Sequence, residues 1–358
     1  MVRDQIPASR RSVLKKGGAA LGIGMVGLAG CNGGGGGDGT SSSATSSSTS
    51  SSEELTITFA TTQPPKNISV QAAQKHFIEP LESKSNGSIT VDLKAGSLGG
   101  TEDNLDALSS GTVDILHESP TALAQRWASE YSFAGDPFVI KDMDHYDAVT
   151  EEFLKPDDGL NGILKDNGVR LGDAFYVGNR CTTSNKPIKT PEDIQGVKMR
   201  LPQYETWTTV WGEIGADVTP VAYDELYSAL QTGVVDASEG PISQFLAVSL
   251  YEVQSHFSVT NHLLDTKHFL YNEEFMSGLS GDQQELITST ASDAVEAMTD
   301  QIKSNEESLY QEARDKGTTV VPREEVDREA FVDAGMPALQ DLSESKWEVS
   351  IDAVLDLA

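Results

Sequence analysis

Two eight-residue stretches of this chain read alike at fixed spacing, and together they limit what it can fold into. Ala107-Leu108-Ser109-Ser110-Gly111-Thr112-Val113-Asp114 and Ala229-Leu230-Gln231-Thr232-Gly233-Val234-Val235-Asp236 both follow the pattern Ala-Leu-x-x-Gly-x-Val-Asp. A helix end, a glycine that stops it and a short apolar run predict a helix, its cap and a buried strand, made twice. The flanking segments match as well. Before the first copy, Leu55 to Phe59 alternates as a strand, Ala72, Ala73, His76, Phe77 and Leu81 recur at helical spacing, and Ile89, Val91 and Leu93 fit a second strand. Asn104 to Leu108 is then helical, and Val113 to Leu116 is the third strand. Before the second copy, Val197, Met199 and Leu201 alternate with Lys198 and Arg200, and Trp207, Val210, Trp211 and Ile214 mark a helix from Tyr204. Val218 and Val221 fit the next strand, Tyr223 to Gln231 a helix stopped by Gly233, and Val234 to Ser238 a third strand. Strands alternating with helices predict an α/β fold with parallel-rich sheets in two lobes of like topology. Ligands of such sheets sit beyond the carboxyl ends of the strands.

Those ends carry polar groups. In the first lobe they are Thr61-Thr62-Gln63, Ser97 to Thr101 and His117-Glu118-Ser119; in the second they are Arg200, ahead of the strand-ending Pro202, and Ser238-Glu239-Gly240. If the lobes face each other, these loops meet across a cleft. Arg200 is the leading candidate for binding, because a planar guanidinium offers paired donors that fit a carboxylate. Each such charge-assisted bond contributes about 1.5 to 3 kcal/mol. For Arg180, binding and an ion pair with one of the many acids stand as equal readings. Enzyme signatures are poor: there is no Gly-x-Ser-x-Gly, His-Glu-x-x-His, Cys-x-x-Cys or phosphate loop. His256, His262 and His268 stand six residues apart and share no helix face, so no metal is expected, and no cofactor. Cys181 reads as a small buried residue.

Asp and Glu number 55 against 26 Lys and Arg, a formal charge of -29, which excludes nucleic acid as a partner. The charge is spread along the chain, as on the acidic solvated surfaces used in strong brine, with an ordinary acidic exported protein as the alternative. Arg10-Arg11 precedes the short apolar run Gly18 to Gly30, which closes on Leu28-Ala29-Gly30-Cys31. This predicts a twin-arginine export signal over 1–31 with a lipobox, Cys31 taking the lipid. Residues 32–52, glycine followed by serine and threonine, form a tether spanning roughly 25 Å. A single lipid binds a membrane only marginally, so a membrane partner is expected. Beyond Asp282 the chain is helical to about Lys316, and an amphipathic segment runs from Glu325 through Leu342; both are expected to brace the lobes.

Gly178-Asn179-Arg180, Asn185-Lys186-Pro187-Ile188, the run Pro191 to Pro202, Ala229 to Asp236 and Tyr251-Glu252-Val253-Gln254 closely resemble the DctP-type extracytoplasmic solute receptors of TRAP transporters. The resemblance runs from about Leu55 to beyond Leu279. It implies a two-lobed, periplasmic-binding-protein-like fold with a long helix shared between the lobes, closing on a small organic acid anion. That acid passes to a membrane permease driven by an ion gradient rather than ATP. It also implies lobe I over 53–177 plus about 266–305, and lobe II with bracing helices over 178–265 plus about 306–358. By the same resemblance Arg200 holds the ligand carboxylate and Arg180 is a second contact. Glu118 reads other polar groups, Tyr223 walls the cleft, and Thr62 lies in the first strand-end loop. Where many members read Gln-Glu-Asn-Pro this chain has Ser238-Glu239-Gly240-Pro241, so Gly240 offers only backbone beside Glu239. A receptor of an ATP-driven transporter, a tethered hydrolase and a sensory or adhesive surface module are the rival readings.

Overall fold

A computed structural model of the chain describes residues 54–358; the signal, Cys31 and the tether lie outside the described residues. The strands are β1 (Leu55–Thr61), β2 (Ile89–Ala95), β3 (Ile115–Glu118), β4 (Val169–Ser184), β5 (Lys198–Leu201), β6 (Asp217–Pro220), β7 (Ala237–Gly240), β8 (His256–Asn272) and β9 (Thr319–Val321). They join one mixed sheet in the order β2-β1-β3-β8-β4-β7-β5-β6, with β9 on β8. At one end β1 lies parallel between β2 and β3; at the other β5 lies parallel between β6 and β7. These are the two units read from the repeat. Between them run β4 and β8, antiparallel to each other and to β7 and β3 respectively. The periodicity gave no sign of these two long strands. β8 is buried along almost its whole length, so it lacks the alternation that marks a half-buried strand.

The third strand of each unit starts later than expected. It is Ala237–Gly240 rather than Val234 to Ser238, and Ile115–Glu118 rather than Val113 to Leu116. The cause is the same in both copies. Gly111 (φ 75°) and Gly233 (φ 72°) turn the chain back on the helix, and the two residues that follow close it. Thr112 and Val113 donate their N–H groups to the Ala107 carbonyl (2.9 and 3.0 Å), as Val234 and Val235 do to Ala229 (3.0 and 3.4 Å). The aspartate N–H then crosses to the neighbouring strand, Asp114 to Thr58 O (2.9 Å) and Asp236 to Lys198 O (2.7 Å). The repeat is therefore a helix closure that hands the chain to the sheet.

A 35-residue helix, Gly281–Asp315, is about 52 Å long at 1.5 Å per residue. Ser280 caps it in a reciprocal capping box with Gln283, and its buried stripe is Ile287, Ala291, Ala294, Met298 and Ile302. It packs on β4, on the Ile68–Ala73 helix of the first half and on the Ile242–Ala247 helix of the second, so one rod braces both. The Arg328–Ser345 helix packs on Glu205–Ile214, whose Trp211 is fully buried.

A side chain at Gly233 would meet no atom within 4 Å, and one at Gly111 would come no closer than 3.8 Å to Asn272. Replacement by alanine at either position therefore costs backbone strain alone. Each variant is expected to lose about 1 to 2 kcal/mol in urea unfolding, by similar amounts; a loss confined to one copy contradicts the shared closure.

Candidate functional site

Thr62, Glu118, Arg180, Arg200 and Tyr223, all singled out in the sequence, line one cavity of about 810 Å³ at the strand ends of the two halves. Four of them arrive there from the end of a strand, and Arg180 projects from within the long strand β4. Thr62 follows β1, Glu118 ends β3, Arg200 sits in β5, and Tyr223 opens the turn after β6. Tyr223 donates its hydroxyl to Gln63 Oε1 (3.2 Å) and the Glu205 N–H donates to Gln125 Oε1 (3.2 Å), so hydrogen bonds join the two halves over the cleft. Glu239 and Gly240 are not part of the cavity wall; they lie behind Arg180.

The two arginines are held in opposite ways. Arg180 grips Glu239 with a fork, Nε to Oε2 at 2.5 Å and Nη2 to Oε1 at 2.7 Å, and gives Nη1 to Asp265 Oδ2 at 2.8 Å. Its guanidinium also lies 4.9 Å from the centre of the Trp207 ring. Burial works against its charge, yet Glu239 and Asp265 outweigh that and hold its pKa above the ordinary range. Burial pushes Glu239 up, but Arg180 pulls it down to about 2. His262, neutral because burial lowers its pKa, backs Glu239 through Nε2 (3.3 Å). Arg180 thus reaches the cavity and is at the same time committed to two acids.

Arg200 is only 2% exposed and has no such partner. Its Nε donates to the Val221 carbonyl at 2.9 Å. Among the described residues no carboxylate lies within ion-pair distance, and its two terminal nitrogens make no hydrogen bond, while the residue lines the cavity. Burial pulls its pKa down to about 10, Glu239 partly offsets that, and Arg180 adds to it. At neutral pH the group is a buried cation with no acid within ion-pair distance.

The opposite wall carries an ion pair, Lys267 Nζ to Glu118 Oε1 at 3.2 Å, and Oε1 also accepts the Ser119 N–H at 2.8 Å. Glu118 Oε2 is buried with no partner. Lys267, Asp265 and Gln244 are wall residues that sequence reasoning missed. The available signal was Asp265-Thr266-Lys267 inside the otherwise apolar and aromatic run from Leu263 to Tyr271, a charged pair where a core strand has no use for one. His256, His262 and His268 serve three separate places, bonded to Ser255, to Glu239 and to Tyr146. Cys181 is fully buried, and burial pushes its thiol up to about 12.

Two αβ units joined by long antiparallel strands, one helix bracing both, and a polar cavity with an unpaired cation define a two-lobed solute receptor. The chain belongs to the bacterial extracellular solute-binding proteins, family 7 (DctP), whose family model matches residues 59–346. It is 31% identical over 249 residues to a solute-binding protein of Roseobacter denitrificans, covering 68% of this chain and 74% of that one. It is 29% identical over 260 residues to the sialic acid-binding periplasmic protein SiaP of Vibrio cholerae, covering 72% and 80%. Among solved structures it is similar to a TRAP periplasmic solute-binding protein from Roseobacter denitrificans with bound L-galactonate. There the TM-score is 0.75 at 28% identity, over 85% of this chain and 99% of that one. No helix among the described residues is long and apolar enough to cross a membrane.

Beneath the Trp207 wall lies Asp136, 1% exposed, which accepts hydrogen bonds from Thr206 and from Ser132 (2.9 Å). Burial raises its pKa from 3.8 to about 7, against those two donors and Lys346. A carboxyl higher in the folded than in the unfolded state adds stability at low pH that is lost as pH rises through the folded value. Wild-type stability should therefore carry a falling contribution between about pH 4 and pH 7, and Asp136→Asn should remove it. Chemical unfolding across that range checks this, and identical pH slopes for the two proteins contradict it.

Proposed function

We propose that this protein captures a small organic acid outside the cell and delivers it to a TRAP-type permease, with Arg200 pairing the carboxylate. The observation that carries the reading is the buried guanidinium of Arg200, a residue of the cavity wall whose terminal nitrogens have no partner and which has no acid within ion-pair distance. A charge buried without a partner costs several kcal/mol, and a ligand carboxylate supplies the partner. Glu118 and Arg180 bound the space left for the rest of the ligand, Tyr223 and Thr62 wall it, and Glu239 acts through Arg180. The volume of about 810 Å³ suits a hydroxylated acid larger than a four-carbon one. Sialic acid and galactonate, named for the two relatives above, are acids of that kind.

The lobes we assign as 53–177 plus about 266–305, and 178–265 plus about 306–358. Supporting that division, β4 and β8 pass between the two αβ units and break register near Gly178 and Arg180, where a bend is easiest. The mature chain is held at the outer face of the cytoplasmic membrane by a lipid on Cys31 and the tether 32–52, within reach of its permease. No catalytic role is assigned to any cavity residue.

Arg200→Lys keeps the charge but loses the fork. It should weaken binding of the preferred acid by about 10- to 100-fold, one charge-assisted bond's worth, with the melting temperature of the unliganded protein nearly unchanged. Thermal shifts with galactonate, N-acetylneuraminate, succinate and glucose check this. Equal binding of an acid by wild type and variant rules out the role given to Arg200. Separately, Cys31→Ser should move the protein from the membrane to the soluble fraction, and continued sedimentation with membranes contradicts lipid anchoring.

A further inference from the structure

Gly240 ends β7 with an ordinary backbone, since it is not among the positive-φ glycines, so its lack of a side chain is a matter of space. A Cβ built there would stand 2.9 Å from Gln244 Oε1 and 3.7 Å from Arg180 Nη2. The place a side chain at 240 would take is thus held by the Gln244 carboxamide. Gln244 lies in the Ile242–Ala247 helix, is half-buried, and lines the cavity that Gly240 does not. Among the described residues its amide makes no hydrogen bond, in contrast to Arg180 beside it, whose fork is taken by Glu239. A carboxamide without a protein partner, next to a guanidinium whose fork is taken by Glu239, has both a donor and an acceptor to offer the cavity.

We infer that Gln244 is a specificity-determining residue of this site, that its carboxamide reads a hydroxyl of the bound acid, and that Gly240 is glycine to leave it room. This rests on the carboxylate reading of the cavity. A hydroxyl both donates and accepts, so it can pair with either end of an amide, whereas a second carboxylate can meet only the N–H end. The obstruction at 240 is the far end of a flexible side chain rather than backbone. A methyl group there displaces Gln244 instead of disrupting the fold.

The test is titration calorimetry on the full chain with galactonate, N-acetylneuraminate and succinate. Gln244→Leu, close in volume, should weaken the hydroxylated acid that binds wild type tightest by about 3- to 10-fold, the worth of a neutral hydrogen bond, and weaken any succinate binding by less. Gly240→Ala should give a similar loss with little change in melting temperature. The double variant should bind no more weakly than Gln244→Leu, because both changes act through one amide. Unchanged binding in Gln244→Leu overturns the inference, as do additive losses in the double variant or wild-type binding of succinate alone. Arg200→Lys separates the failures. If it loses the acid while Gln244→Leu does not, only the role of Gln244 falls; if no acid binds wild type, both readings fall.

Discussion

A guanidinium buried without an acid is the constraint on which the rest of this structure turns. Moving a charge out of water is expensive, and folded chains repay it with a partner or leave the group at the surface. Arg180 follows the rule, with Glu239 taking its fork and Asp265 pairing Nη1. Arg200 departs from it, keeping only the Val221 carbonyl. The same side chain therefore has two uses a short distance apart. One is a fixed post that holds Trp207 and orders the wall, and the other is an unmet demand for negative charge. With one fork taken and the other open, the cavity holds a single guanidinium fork without an acid on it.

The architecture delivers both arginines by different routes, and this decides how much the sequence discloses. Arg200 was legible because Val197 to Leu201 alternates and Pro202 ends the strand. Both helix closures were legible because a left-handed glycine at a fixed offset leaves little choice. The same closure misled the reading of the next strands, since Val113-Asp114 and Val235-Asp236 look like strand openings but finish the helix instead. Asp265 and Lys267 were hidden because β8 is buried on both faces and lacks a period of two. Gln244 was hidden for another reason: its importance lies in the side chain that Gly240 does not have, and only coordinates show which residue fills that place. Thr62, Glu118, Glu239 and Gly240 were legible as strand-end positions, and the family resemblance named them again with Tyr223. The first two and Tyr223 line the cavity, while Glu239 and Gly240 sit one layer behind it.

Charge outside the site opposes charge within it. The rim bears exposed Glu102, Asp103, Asp224 and Glu225, in a chain of formal charge -29. Arg126 pairs with Glu102 on that rim, and Asp103, Asp224 and Glu225 leave it net acidic. At molar ionic strength the screening length falls to about 3 Å, and the rim no longer acts at a distance, while a dehydrated contact with Arg200 is barely screened. Capture thus depends on short-range pairing inside a cleft that Tyr223 and Gln63 help to shut, consistent with a receptor whose recognition is set by contact rather than by long-range attraction.

The most direct test of this account is a crystal structure of the protein with a bound acid, galactonate or N-acetylneuraminate. The account predicts the carboxylate on the two terminal nitrogens of Arg200, with Arg180 still forked on Glu239. A carboxylate seated on Lys267, or one that draws Arg180 away from Glu239 while Arg200 stays unpaired, contradicts it.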